Sequence, residues 1–199
     1  MKTMTKIAIL ISGRGSNMEA IVNAIKNEQL IAEVCFIGSD DKDAKGLHIA
    51  RDRGFETIIF SYGENGQANS ARANAELELL QAIRENNVEW LILAGFMRVL
   101  SKDFVKQMEG RIVNIHPSLL PSFKGAHAIN DAFSLGVKIT GVTIHLVDEF
   151  VDNGKIIAQT AVEIKDDDTI ESLSVRIHKA EHLLYPETLS KLFARRKTS

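Results

Sequence analysis

The sequence predicts an α/β protein: one open, mainly parallel sheet with helices on both faces, an antiparallel extension near the C-terminal third and a long C-terminal helix. Three observations predict it. Short runs rich in Ile and Val alternate with amphipathic stretches as far as residue 116, the pattern of strands buried on both faces and joined by crossover helices. Two further strand-like runs then follow one another with no helical pattern between them. The chain closes on a single long helical stretch.

The first strand is Lys6 to Ser12, KIAILIS, and SNMEAIVNAIKN behind it carries the apolar repeat of a helix. AEVCFIGS is the second strand, and DKDAKGLHIARDRG the next helix, stopped near Gly54. ETIIF makes a third, short strand. NSARANAELELLQAIRENN is a long amphipathic helix whose buried stripe is read as Leu77, Leu79, Leu80 and Ile83. EWLILAGF and RIVNIH are the fourth and fifth strands. Beyond residue 136, KITGVTIHLV and KIIAQTAVEI are consecutive strands, hence the antiparallel extension. TIESLSVRIHKAEHLLYPETLSKLFARR is the final helix, with an interruption or bend expected near Pro186 and a cap from Asp168 or Thr169.

With 199 residues, 45% of them hydrophobic, and neither repeat nor linker, one domain over residues 1–199 with a substantial core is expected. A formal net charge of −2 lacks the basic excess of an electrostatic nucleic-acid binder. No stretch approaches the roughly 20 apolar residues of a membrane span, and the first apolar run is too short for a signal peptide. The lone cysteine, Cys35, can form no internal disulfide and suits a reducing compartment, so a cytoplasmic protein is expected.

Chemistry concentrates in four segments. In NIHPSLLP, Asn114 and His116 stand two apart at a strand end, so both side chains point to one face. Pro117 then restricts His116 to extended backbone and ends the strand. The pair is presented either to a cleft or at a plain strand-to-loop exit. SGRGSN combines glycines that admit an anion with the free N–H groups of a helix start. It departs from the dinucleotide fingerprint, since Met18 stands at the third glycine position, and from a nucleoside-triphosphate loop. Asp40 and Asp41, after the second strand, are candidate ribose ligands.

AGFMRVLS lies at the carboxyl end of the fourth strand, where an open sheet forms its ligand crevice; Met97, Val99 and Leu100 could line a flat-ring pocket, while Phe96 and Leu100 also read as core. IHLVDEFVDNG carries His145 with Asp148, Glu149 and Asp152. That spacing fits no metal motif, so no metal is expected and His145 reads as a strand residue. The loop gains a role if Asp152 reaches His116, because a carboxylate orients an imidazole.

In order, ISGRGSNMEAI, LILAGFMRVLS, IVNIHPSLLPSFKGAHA, TIHLVDEFVDNG and EHLLYP closely resemble the phosphoribosylglycinamide formyltransferase family, the folate-dependent transformylases of purine synthesis, from about Lys6 to Pro186. The resemblance implies a Rossmann-like formyltransferase fold and transfer of a formyl group from 10-formyltetrahydrofolate to the amine of glycinamide ribonucleotide. It implies Asn114, His116 and Asp152 as a catalytic trio. Gly15, Ser16 and Asn17 match positions that hold the substrate phosphate, and Glu181 one that contacts the glycinamide end. Met97, Arg98, Val99 and Leu100 match the folate pocket, together with Asn114 and the loop residues Asp148, Glu149, Phe150 and Val151. Arg72, placed ahead of the long helix, matches a contact to the folate tail. The implied partners are these small molecules, on a monomer or homodimer without metal, nucleic acid or membrane. Residues from 1 to about 100 would form the phosphate half, and those from about 95 to 199 the folate and catalytic half.

Three departures from the family pattern stand out: Lys155 where many relatives carry proline, His178 where some carry glutamine, and the loop SFKGAHAINDAF, which differs from versions with a second histidine. Two enzymes on the same scaffold compete. A methionyl-tRNA formyltransferase would add a C-terminal RNA-binding domain, and a formyltetrahydrofolate deformylase an N-terminal regulatory one. A non-catalytic nucleotide-binding module could use SGRGSN and Asp40, but it leaves Asn114, His116 and Asp152 unexplained.

Overall fold

The computed structural model describes residues 4–63 and 68–196. Its strands are β1 (Thr5–Ile11), β2 (Ala32–Ser39), β3 (Thr57–Ile59), β4 (Trp90–Leu93), β5 (Ile112–His116), β6 (Ile139–Leu146) and β7 (Ile156–Glu163). They form one sheet in the order β3-β2-β1-β4-β5-β6-β7. The first five pair in parallel, whereas β6 is antiparallel to both its neighbours, β5 and β7. The predicted fold class is the observed one, with strand ends differing by at most three residues.

Strand alternation sorts the core into two layers. On one face, Ile7, Ile9 and Ile11 of β1 pack with Trp90 and Ile92 of β4 and Val113 and Ile115 of β5. Helices α1 (Ser16–Lys26), α2 (Lys45–Asp52), α5 (Ala128–Leu135) and α6 (Ile170–Arg196) contribute to that layer, among others through Met18, Leu47, Ala132 and Leu173. On the other face, Ala8, Leu10, Leu91, Leu93 and Ile112 pack under α3 (Ala68–Glu85) and α4 (Lys102–Gln107). Each isoleucine of β1 is fully buried, which contributes about 1.5–3 kcal/mol per side chain.

The stripe read for α3 needs one correction. Leu79, Leu80 and Ile83 are buried, but Leu77 is 64% exposed. It precedes Leu79 by two residues, about 200° around the helix, and so faces away from the sheet. Arg72 lies inside α3 rather than ahead of it, one turn before Glu76, with which it pairs at 3.2 Å. The buried Glu76 carboxylate also accepts hydrogen bonds from the backbone N–H (2.7 Å) and hydroxyl of Ser101, the residue that caps α4 through Phe104 N–H. Helix α5 lies in a stretch where no helix was expected; it stops at Gly136, whose φ of +73° suits a residue without a Cβ.

Helix α6 runs unbroken through Pro186. Thr169 caps it, its hydroxyl accepting from Ser172 N–H at 3.2 Å while Ser172 Oγ accepts from Thr169 N–H at 3.0 Å. Asp168 instead holds the Arg176 guanidinium and the Ser172 hydroxyl, and these partners depress its pKa strongly. Midway along α6, the fully buried Tyr185 hydroxyl lies 3.0 Å from the carbonyl oxygens of both Leu93 and Val113, sharing its one hydrogen between the ends of β4 and β5.

Candidate active site

Asn114 and His116 project from β5 on the α3/α4 side of the sheet, as their two-residue spacing requires. They lie beyond the helices, where the strand ends open into a cleft. Because β6 runs antiparallel to β5, His145 stands directly opposite Asn114 and on the same face. His145 is 2% exposed; its Nδ1–H donates to Leu146 O at 2.8 Å. Burial pushes its pKa down, outweighing that hydrogen bond and the Asp152 carboxylate, which push it up. The imidazole is therefore neutral with a lone pair on Nε2, and Asn114 Nδ2–H donates to it at 3.3 Å. This fixes which way the Asn114 amide points and leaves its second N–H for the cleft.

Asp152 arrives from the loop after β6. Its φ of +48° is unusual for a residue with a Cβ and costs on the order of 1–3 kcal/mol. The loop holds it there. Asp148 accepts from Phe150 N–H at 3.0 Å and Asn153 Nδ2–H at 3.2 Å, and Asn153 Oδ1 accepts from Lys124 Nζ at 2.9 Å. Asp152 Oδ2 accepts from Gly125 N–H at 2.8 Å and lies 3.3 Å from His116 Nδ1; Oδ1 is 3.7 Å from His145 Nε2. The other ring nitrogen of His116, Nε2, donates to Phe123 O at 2.7 Å. Asp152 thus stands between two histidines with its carboxylate facing a proton position on His116.

The cleft has a volume of about 240 Å³, with these side chains at its floor. Its walls are Gly95–Leu100 after β4 and Val147–Asp152 after β6. Met97 (68% exposed), Val99 (58%), Phe150 (62%) and Val151 (51%) leave large apolar surfaces open at the rim. Phe96 and Leu100 are buried core residues of the α3/α4 layer, and both also touch the cleft. Lys102 pairs with Glu149 across the mouth. Arg72 is not among the lining residues.

The glycine loop meets α1 at Gly15, the helix N-cap, with φ +76°. A Cβ there would come within 2.8 Å of the Gly46 Cα, so the loop packs directly on the start of α2. The first intrahelical bond is Glu19 N–H to Gly15 O, which leaves the N–H groups of Ser16, Asn17 and Met18 free of helical partners at a positive dipole end. Asn17 is buried, and its Nδ2–H donates to Glu181 Oε2 at 3.1 Å. The same oxygen accepts from His178 Nδ1–H at 2.9 Å. Glu181 is 4% exposed, so the end of α1 and the middle of α6 share a buried carboxylate. Ser16 also lines a wider groove of about 670 Å³ between α1 and α6, away from Asn114 and His116.

The Glu181 hydrogen bond raises the His178 pKa, against burial and the nearby Arg14 guanidinium. A raised pKa stabilises the fold fully below the ordinary histidine value, and that contribution is lost as pH rises through the folded value. The melting-temperature gap between the wild-type protein and His178→Ala is therefore expected to be larger at about pH 5.5 than at about pH 9. An equal gap at both would mean that the pair contributes nothing to stability.

A model of the formyl transferase family matches residues 5–189. The chain belongs to the formyl transferase family. It is 41% identical over 189 residues to a phosphoribosylglycinamide formyltransferase of Bacillus subtilis, covering 95% of both chains. It is also 44% identical over 184 residues to the trifunctional purine biosynthetic protein adenosine-3 of Gallus gallus, where 92% of this chain spans only 18% of that polypeptide. A crystal structure of phosphoribosylglycinamide formyltransferase from Bacillus halodurans superposes with a TM-score of 0.90 at 41% identity, covering 96% of this chain and 97% of the other.

For this formyl transferase family member, the structure brings Asn114, His116 and Asp152 together at the cleft floor and Asn17 to Glu181 at the α1 end. His145 was passed over in the sequence as a strand residue, although it is the hydrogen-bond partner of Asn114. The available signal was a histidine placed between the apolar residues of an otherwise buried strand. Asp40, read as a ribose ligand, has both carboxylate oxygens engaged inside the protein. No group of three or more His, Cys, Asp or Glu residues among the described residues is arranged to hold a metal ion.

Proposed function

We propose that this chain is a phosphoribosylglycinamide formyltransferase, moving the formyl group of 10-formyltetrahydrofolate onto the primary amine of glycinamide ribonucleotide. The observation that carries this reading is the meeting of Asn114, His116 and Asp152 under an open apolar rim. The apolar edges of Met97, Val99, Phe150 and Val151 suit the flat pterin, with Arg98, Leu100, Asp148 and Glu149 around it. The N–H groups of Ser16 and Asn17, beside the N-cap Gly15, suit the ribonucleotide phosphate. Glu181 suits the glycinamide end, and Arg72 the folate tail beyond the cleft.

The amine nitrogen attacks the formyl carbon, the carbonyl electron pair moves to oxygen, and the new nitrogen centre carries a surplus proton. Asn114 donates its second N–H to the oxyanion, a type of contact whose removal costs about 2.7–4 kcal/mol. His145 keeps that donor aimed. His116 relays the surplus proton to the folate N10, Asp152 balances the charge on the ring, and the C–N10 bond breaks to give tetrahydrofolate and the formylated amide. To reach the reacting atoms, His116 Nε2 has to exchange its hydrogen bond to Phe123 O for one to substrate. The chemistry needs neither a covalent enzyme intermediate nor a metal. The same reading makes it a cytoplasmic enzyme, monomeric or homodimeric; no helix among the described residues is long and apolar enough to cross a membrane.

The test follows consumption of 10-formyltetrahydrofolate by absorbance with and without glycinamide ribonucleotide, and identifies the formylated product. Consumption that requires the ribonucleotide supports the transferase. Formate release without it makes water the acceptor and the chain a deformylase.

A further inference from the structure

We propose that Asp40 is a positioning residue that fixes the Met97–Val99 wall of the formyl-donor cleft through Ser12 and Arg98. This rests on the reading of that cleft as the folate site. Asp40 follows β2, two strands away from β4, and its side chain is only 6% exposed. One oxygen accepts from the Ser12 hydroxyl at 2.5 Å, the other from Arg98 Nε–H at 2.6 Å. An ionised carboxylate only accepts, so the Ser12 hydrogen is spent on Asp40 and its lone pairs face outward. One of them accepts Met97 N–H at 2.8 Å, while Ser12 N–H donates to Gly95 O at 3.1 Å. The guanidinium of Arg98 is also set over the Tyr62 ring, 5.7 Å from its centroid, and Tyr62 meets Phe96 edge-on at 5.8 Å.

A single carboxylate thereby ties the ends of β1, β2 and β4 together. Without it, the Ser12 hydroxyl that accepts Met97 N–H and the Arg98 guanidinium both lose the acceptor that orients them, while Ser12 N–H still holds Gly95 O. Both Asp40 oxygens are engaged with protein, one by Ser12 and one by Arg98. The segment that Asp40 holds lines the apolar cleft and not the α1 terminus, so its loss is felt by one substrate.

The test measures steady-state kinetics for both substrates, and equilibrium binding of folic acid, in the wild-type protein, Asp40→Asn and Ser12→Ala. Asp40→Asn keeps the volume and an acceptor for Ser12 but removes the charge that holds Arg98. Its KM for 10-formyltetrahydrofolate and its folic acid Kd are expected to rise about tenfold, the scale of one lost charge-assisted hydrogen bond. The KM for glycinamide ribonucleotide stays within about twofold. Ser12→Ala, which leaves the Asp40–Arg98 pair intact, should shift the same two constants, and the double variant should be no worse than about the larger single effect. A rise confined to the ribonucleotide KM, or unchanged constants in both variants, overturns the positioning role. Should Asp40→Asn not fold, Ser12→Ala decides by the same readout. A wild-type protein that neither binds folic acid nor uses the formyl donor removes the functional reading and the positioning role together. A wild type that does both, beside variants that match it, removes only the positioning role.

Discussion

Asp152→Asn is expected to lower kcat by about 10²- to 10⁴-fold, the range ascribed to a positioned acid–base group, with the melting temperature almost unchanged. The substitution is nearly isosteric, and its amide oxygen can still accept the Gly125 N–H now bound at 2.8 Å. That same oxygen would still face His116 Nδ1 at 3.3 Å, now without charge, while the amide N–H hydrogens take the place of the oxygen 3.7 Å from His145 Nε2. The substitution therefore removes the charge that balances an imidazolium on His116. His116→Ala removes the ring itself and is expected to cost a similar factor. Because the two residues act as one unit, the double variant should be about as slow as the slower single variant and not the product of both. Turnover at the wild-type rate from either variant would take that residue out of the mechanism, and multiplying losses would give the two residues separate tasks.

Gly154→Ala is expected to destabilise the fold by about 3 kcal/mol, the upper end of the usual cost of overpacking, and to cut turnover with it. An added Cβ would lie 1.8 Å from the carbonyl oxygen of Leu146 and 3.2 Å from the backbone nitrogen of Asp148. These are backbone atoms at the end of β6, tied to β7 by Leu146 N–H to Lys155 O, so no rotamer change relieves the clash. Relief must come from moving the Asp148–Asn153 loop, which carries Asp152. Chemical denaturation and kcat measured on the same sample check both halves. A variant as stable and as fast as the wild-type protein would mean that the turn has slack which its geometry does not show.

Period-two reasoning placed Asn114 and His116 on one face because a strand allows nothing else. The same reasoning separated the parallel strands from the antiparallel extension, since only a helix-long crossover can return a chain for parallel pairing. The pairing of Asn114 with His145 was out of reach of such arguments. Between β5 and β6 stand a loop and α5, so no tight turn sets their register, and a shift by one residue would have put His145 on the opposite face. Gly15 was read as room for an anion; its left-handed backbone and its contact with Gly46 are also demands of packing, which local sequence does not distinguish from binding. Asp40 is a related case. A carboxylate at a strand end looks alike in sequence whether it reads a ligand or braces a neighbouring loop.

Asn17 and Glu181 meet although 164 positions separate them in the chain. Synthesis at about 5–20 residues per second delivers the residues of α6 after all seven strands, roughly 1–5 s after residue 169. In that interval β1, β4 and β5 can pair under α1, α2 and α5, yet the part of the layer that Leu173, Ile177, Leu189 and Phe193 cover stays open. Nor can Tyr185 yet hold the ends of β4 and β5 together. A nascent chain stalled there carries Asn114, His116 and Asp152 but not yet Glu181, the partner of Asn17. The apolar patch that α6 leaves open, rather than its chemistry, is what the cell's chaperones would meet.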